Sequence, residues 1–319
     1  MSRTVWAWAR IVVPVLVLAV VVWRLGTGPF LEGIRSIDAW TLLAAAGIGV
    51  LTTVCCAWRW TMVAGGLGVE LSLPGAVAAY YRSLFLNVTL PGGVVGDVHR
   101  GVSHGRDVSD VGRALRAVIL ERFAGQIVQT GVTVGVLLAL ASPVQSSMPV
   151  VAIAGLGAML GGALVTRARS GGTPSWWARV RSTVAGDVRA GLLAGRAWVG
   201  IGFASAVVVA GHAITFLIAA RAAGTTASLS QLLPIALLAM MAMVLPSVAG
   251  WGPREGVTAW AFGAAGLGAG RGVATGVIYG VMVLFASLPG IAVLVVTWFR
   301  AIQLSRRERT PRGQQAVHV

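Results

Sequence analysis

Six apolar runs, at residues 6–23, 39–58, 117–141, 148–166, 197–220 and 273–298, are each long enough to cross about 30 Å of hydrocarbon with flanking residues snorkelling. A chain with that much apolar length is excluded from the water-soluble domains. Of its 319 residues 56% are hydrophobic and 11% charged, and mean hydropathy is +0.82; soluble proteins carry about a quarter charged residues. The 43 glycines lie through the apolar runs without a triplet period, which fits closely packed membrane helices and neither collagen nor disorder. The expected fold is an all-α integral membrane protein, one polytopic domain over residues 1–319. The amino-terminal run has no small-residue cleavage site after it, since Arg24, Leu25 and Gly26 follow, so it reads as an uncleaved first span.

Two further apolar stretches, 73–95 and 232–269, are broken in mid-run. The first break is Leu90-Pro91-Gly92-Gly93; the second is Leu245-Pro246, followed by Gly250 and Gly252. Neither reads as a plain helix. Their behaviour follows from sidedness, because cytoplasmic loops carry the basic excess. The loop 167–196 holds Arg167, Arg169, Arg179, Arg181, Arg189 and Arg196 against Asp187, and the tail 300–319 holds Arg300, Arg306, Arg307, Arg309 and Arg312. Both are expected in the cytoplasm, with both termini. Segment 142–148 is uncharged, and 24–38 balances Arg24 and Arg35 with Glu32 and Asp38, which suits the outer side. These placements agree only if each broken stretch returns to the side it came from, as a re-entrant hairpin. The polar limb with Asp97, His99, Arg100, His104, Arg106 and Asp107 then lies at the cytoplasmic surface.

Residues 39–141 thus read as span, broken hairpin, span, and 197–298 read the same way with opposite orientation. Each break falls about halfway along its unit and is followed by glycines and then charge, Asp97 and Arg100 in one and Arg254 and Glu255 in the other. This pattern of six spans and two broken hairpins is that of an inverted repeat, in which paired broken segments bring free backbone groups and helix ends to a shared site. Pro-Gly kinks are also common in membrane helices, so the pattern and not the motif carries the reading.

An ionisable side chain at membrane depth costs about 2.5–3.5 kcal/mol on insertion scales and persists where something uses it. Arg82, Asp97, Arg100, Glu121, Arg122, Arg254 and Glu255 are the candidates. Arg122, Gln126, Gln129 and Thr133, spaced 4, 3 and 4, share one helical face that should look into the protein, either as interhelical hydrogen-bonding groups or as a polar track. Arginine suits a phosphate cargo because its planar fork pairs bidentately and stays charged in a low dielectric. Arg100 and Arg254, each after a break, are the first choices. His212, seven residues after Ser205, reads either as an interior polar group or as a proton carrier. Cys55 and Cys56 read as small core residues, and Asn87-Val88-Thr89 as a chance match to a glycosylation sequon within an apolar limb. No metal, nucleotide or other cofactor motif is present, so none is expected. All 25 basic residues are arginines lying mainly between apolar runs, so the net charge of +15 reports topology and not a nucleic-acid partner.

The segments Asn87 to Arg100 (NVTLPGGVVGDVHR), Glu121 to Gly125 (ERFAG) and Leu245 to Gly256 (LPSVAGWGPREG) together resemble the lysylphosphatidylglycerol synthase transmembrane region, the flippase-like domain of the multiple peptide resistance factor. The resemblance covers residues 10–300. It implies functional positions at Asn87, Pro91, Asp97, Arg100, Arg254 and Glu255. Trp251 and Pro253 stand where that pattern has smaller or aliphatic residues. With the sequence ending at Val319, the resemblance implies the translocating part without the synthase.

The expected function is translocation of an anionic or zwitterionic phospholipid or a polyprenyl phosphate between leaflets of the plasma membrane. Asn87, Asp97, Arg100, Glu121, Arg122, Gln126, Gln129, Arg254 and Glu255 would line the site, and Pro91, Gly92, Gly93, Pro246, Gly250 and Gly252 would break the helices around it. Two alternatives stay open: a scaffold for a glycosyltransferase or lipid synthase, and a membrane enzyme that modifies a headgroup through a carboxylate such as Glu121, Asp97 or Glu255.

Overall fold

The computed structural model describes residues 3–140, 174–245, 247–248 and 250–309. The expected span at 148–166, the start of the basic loop, Pro246 and the last ten residues lie outside the described residues. Within them the chain is helical, with no strand and one isolated antiparallel bridge between Val248 and Trp251. The helices are α1 (Arg3–Leu25), α2 (Gly28–Arg35), α3 (Ala39–Gly66), α4 (Leu73–Thr89), α5 (Val95–Asp107), α6 (Val111–Ala139), α7 (Pro174–Gly191), α8 (Ala197–Ala222), α9 (Leu229–Ala242), α10 (Pro253–Ala264), α11 (Ala269–Ser287) and α12 (Pro289–Arg309).

Three described segments are long and apolar enough to cross a bilayer: α3, α8, and Ala269–Phe299, which runs through α11 into α12. The end of α1 and α2 meet the same mark jointly, bent by 96° at a short break. Segment 24–38, expected as a loop, therefore contains a helix, and α2 packs on α11. The expected span 117–141 falls on the helix α6, which is not among these segments, its apolar run being interrupted by Arg122, Gln126, Gln129 and Thr130.

Local chemistry sets the helix ends. Asp38 caps α3, its Oδ1 accepting from Thr41 N at 2.7 Å and Thr41 Oγ1 at 2.6 Å. Those bonds hold the Asp38 carboxyl below its ordinary value. Asp110 caps α6 through Arg113 N at 2.9 Å. At the first break α4 stops at Thr89, and Leu90 is extended because the proline after it disfavours helical backbone there. At the second break Pro253 opens α10, while Glu255 Oε2 accepts from Gly252 N at 2.8 Å.

Two buried clusters hold the bundle together. Ala57, Trp60, Ala64, Ala76, Tyr80, Ala117 and Val118 join α3, α4 and α6. Phe216, Leu232, Ile235, Phe262, Ile278, Tyr279 and Met282 join α8, α9, α10 and α11. Small residues at the crossings let backbones approach closely, which is how helices gain packing energy in lipid. The packing scheme has a simple form. α3 touches α4 and α6, and α5 touches α4 and α6; α8 touches α9 and α11, and α10 touches α9 and α11. Between these groups α3 packs on α8 and α11, α8 packs on α6, α4 packs on α11, and α9 packs on α6. The description is unchanged when the first four helices are exchanged with the second four.

Candidate functional site

The first break and α6 build a buried network of charge. Glu121 of α6, fully buried, accepts at Oε1 from Arg59 Nε (2.9 Å) and Tyr80 Oη (3.0 Å), and at Oε2 from an Arg100 guanidinium nitrogen (2.6 Å). Arg59 of α3 also donates to Ser205 Oγ of α8 at 2.9 Å. Arg100 of α5 lies between two rings, its Cζ 4.2 Å from the Tyr80 centroid and 4.6 Å from that of Trp60. Its Nε reaches Asp97 Oδ1 at 3.1 Å.

Asp97 is held from two helices. Ser83 Oγ and Asn87 Nδ2 of α4 donate to it at 3.1 and 3.0 Å, and Asn87 Oδ1 accepts from Gly96 N at 2.7 Å. With both ends of its amide engaged, Asn87 is a structural clamp between α4 and α5. Gly96 permits that clamp, since a Cβ there would land on the Ser83 carbonyl. From the opposite side Arg122 reaches Asp97 Oδ2 at 2.6 Å, yet 47% of its side chain remains exposed. Three guanidinium groups, from Arg59, Arg100 and Arg122, thus face two carboxylates, an excess of one positive charge.

The second break builds a smaller cluster. Arg254 and Glu255 are both buried and paired with each other, with Arg254 Nε 3.0 Å from Glu255 Oε1. The Arg254 Cζ lies 5.2 Å from the Tyr279 ring and 5.7 Å from that of Trp251. Trp251 is thus a wall of the arginine's pocket. Asp97 is the third residue of α5 and Glu255 the third of α10, so each break is followed by an acid at the same helical position. The two breaks touch, Gly92 N donating to Ser247 O at 2.9 Å. Gly92, Gly93, Gly250 and Gly252 all have positive φ, from 67° to 118°, which is the backbone freedom these turns require.

The remaining candidates fall around this centre. Gln126 Nε2 lies 3.4 Å from Met241 Sδ, so the polar face of α6 looks onto α9. Gln129 Nε2 is buried without a hydrogen-bond partner, while Gln129 O accepts from Thr133 Oγ1 at 2.7 Å. His212 pairs with Tyr279 Oη at 2.9 Å, and Ser205 serves Arg59 instead of sharing a site with the histidine. Arg100 and Arg254, the first choices from the sequence, are each enclosed and bonded to acids; Arg122 is the arginine that reaches both the network and the exterior.

Arg59, Trp60 and Tyr80 did not stand out in the sequence. Arg59 closes the apolar run 39–58 and reads as a flanking anchor. The signal that could have found it is the apolar stretch Met62-Val63-Ala64 just beyond, which puts it inside a 28-residue helix.

Helical throughout its described residues, with apolar helices of bilayer length and buried arginine–carboxylate clusters, the chain is a membrane protein. A family model described as the lysylphosphatidylglycerol synthase TM region matches residues 7–290, and the chain belongs to that family. No curated protein and no solved structure matches the chain.

Proposed function

We propose that this protein is a lipid translocase of the flippase type, carrying an anionic or zwitterionic phospholipid or a polyprenyl phosphate between leaflets of the plasma membrane. The observation that carries the reading is the unequal charge of the network, three arginines against two acids, with Arg122 as its accessible arm. A phosphate entering there exchanges Asp97 for its own oxygens on the guanidinium, while Asn87 and Ser83 keep Asp97 satisfied. Burial of the remaining charges keeps them poised, since a paired buried arginine needs a new anion before it can leave the old one.

The packing scheme supports an inverted repeat of residues 39–141 and 197–298, because every contact between helices of one half has its counterpart in the other. In that architecture six spans surround the two broken hairpins, and both termini lie in the cytoplasm with the basic loop and tail. The bond between Gly92 and Ser247 supports a shared junction of the two breaks, after which α5 and α10 begin with the positive helix ends that suit a phosphate. Leaflet exchange follows from rocking one half against the other around this junction. With no nucleotide motif in the sequence, the driving force is a gradient or the supply of lipid.

Leaflet exchange in proteoliposomes, run with a panel of fluorescent phospholipids and a polyprenyl phosphate, tests the reading. Protein-dependent exchange of at least one phosphate-bearing lipid is expected. Absence of exchange for every lipid, with the fold intact, would turn the account to a membrane partner of a glycosyltransferase or lipid synthase.

A further inference from the structure

A second polar feature lies outside the arginine network, where α3 crosses α8. Thr52 packs against Gly211, where a Cβ would strike the threonine methyl group. Both residues are near the middle of their helices, which have 28 and 26 residues. Beside this crossing is a cavity lined by Thr52, Thr53, Cys56, His212, Thr215 and Ser287 among apolar neighbours. It offers ≈ 60 Å³ to water-sized molecules, enough for a few waters and far too little for a lipid headgroup.

Three of the four hydroxyls on the wall, all but that of Thr53, are committed to their own helices. Thr52 Oγ1 donates to Ile48 O at 2.9 Å, Thr215 Oγ1 to Gly211 O at 2.9 Å, and Ser287 Oγ to Leu284 O at 2.7 Å. Each of these hydroxyls has one hydrogen, spent on its own helix, so what it turns to the cavity is a lone pair. Cys56 Sγ already accepts from Arg59. These three hydroxyls and the sulfur take a donor. No carboxylate lines this cavity, so a metal cation would sit there without charge compensation. An imidazolium has one partner in place, Tyr279 Oη at 2.9 Å from His212 Nδ1, and its ring borders the cavity that the hydroxyls line.

We propose that His212 is a proton-binding site at the crossing of the two halves, its protonation linked to occupation of the arginine network by a phosphate. The linkage rests on the translocase reading; the proton site does not. The titratable and charged groups around the ring are Cys56 from α3, Tyr279 from α11 with Arg254 beyond it, and Arg122 of α6 within electrostatic reach. α4 contributes Leu84 to the cavity, and α9 contributes Leu237 and Met240 to the adjoining turns of α8. Burial disfavours a charged ring, and the like charge of Arg122 adds to that. A phosphate on Arg122 cancels that repulsion, and by reciprocity the proton strengthens phosphate binding by the same factor. Anionic lipid and proton then cross together.

Two measurements test this. In proteoliposomes with an imposed pH gradient, wild-type exchange of an anionic phospholipid should accelerate severalfold from the acidic side. His212→Gln, which supplies a polar amide in place of the imidazole but cannot titrate, should exchange at one rate whatever the gradient. Independently, ¹⁵N-histidine NMR in nanodiscs, with the His212 signal assigned by its loss in His212→Gln, should show a titration that moves to higher pH in phosphatidylglycerol than in phosphatidylcholine. A ring that does not titrate between about pH 4 and 9, exchange indifferent to the gradient in the wild type, a gradient response kept by His212→Gln, or exchange that requires sodium would each overturn the proposal. Where the wild type moves no lipid, the translocase reading fails and the NMR titration alone decides the proton site.

Discussion

The amide of Gly92 donates to the carbonyl of Ser247 at 2.9 Å, so the two interruptions of the membrane helices close on each other. Backbone groups freed by a helix break must find partners in lipid, and here each break helps satisfy the other. Each break is followed by a charged pair, Asp97 with Arg100 after the first and Arg254 with Glu255 after the second.

The junction tolerates little at Gly93. Its φ is 67°, and a Cβ would lie 3.3 Å from Ser247 Oγ. Gly93→Ala should destabilise the protein by about 1–2 kcal/mol, read as a lowered thermal midpoint in detergent. A midpoint equal to that of the wild type would mean that the junction is not part of the stable fold.

Glu121 is the keystone of the buried charge. Glu121→Gln leaves Arg59 and Arg100 without their shared partner and should cost about 3–5 kcal/mol. Ser205→Ala, which removes one bond from Arg59, should cost about 1 kcal/mol. The ratio of the two effects in thermal unfolding checks that the carboxylate and not the hydroxyl balances the arginines.

Asn87 offers a test by near-isosteric exchange. Asn87→Ala removes the acceptor for Gly96 N and one donor to Asp97, at about 1–3 kcal/mol. Asn87→Asp keeps the acceptor but sets a second carboxylate against Asp97, so it should be the more damaging of the two at neutral pH and should recover towards the alanine variant as the medium is acidified. Equal effects of the two variants would contradict the clamp.

Gly280 of α11 faces the Arg254 guanidinium, where a Cβ would lie 2.5 Å from the terminal nitrogen. Gly280→Ala should displace that side chain from Tyr279, leave the helices intact by circular dichroism, and reduce lipid exchange about ten- to a hundredfold. Unchanged exchange would remove Arg254 from the working site.

The long apolar helices and both breaks were legible because hydropathy and Pro-Gly are local signals. The runs 39–58 and 197–220 became α3 and α8, and the two broken stretches became the α4–α5 and α9–α10 pairs. What sequence could not supply is partner choice. Nothing along the chain joins Arg59 to Glu121, or Ser205 to Arg59, since those bonds depend on how α3, α6 and α8 cross. The same holds for exposure: Arg100, Arg122 and Arg254 look alike as letters, and only packing leaves Arg122 half exposed while the other two are enclosed. Helix α2 was hidden because its eight residues are too short for a strong periodic signal.

The central claim is that a lipid phosphate is carried on an arginine of the network, and Arg122 tests it most directly. Its side chain is half exposed and Asp97 retains Arg100, Ser83 and Asn87, so Arg122→Ala should fold. The measurement is the initial rate of leaflet exchange of a fluorescent anionic phospholipid by wild type, Arg122→Ala and Arg122→Lys in matched proteoliposomes. Exchange is expected in the wild type, with about a tenfold or greater loss in the alanine variant and partial recovery in the lysine variant, which keeps the charge without the bidentate fork. An alanine variant that is folded and exchanges lipid at the wild-type rate would contradict it.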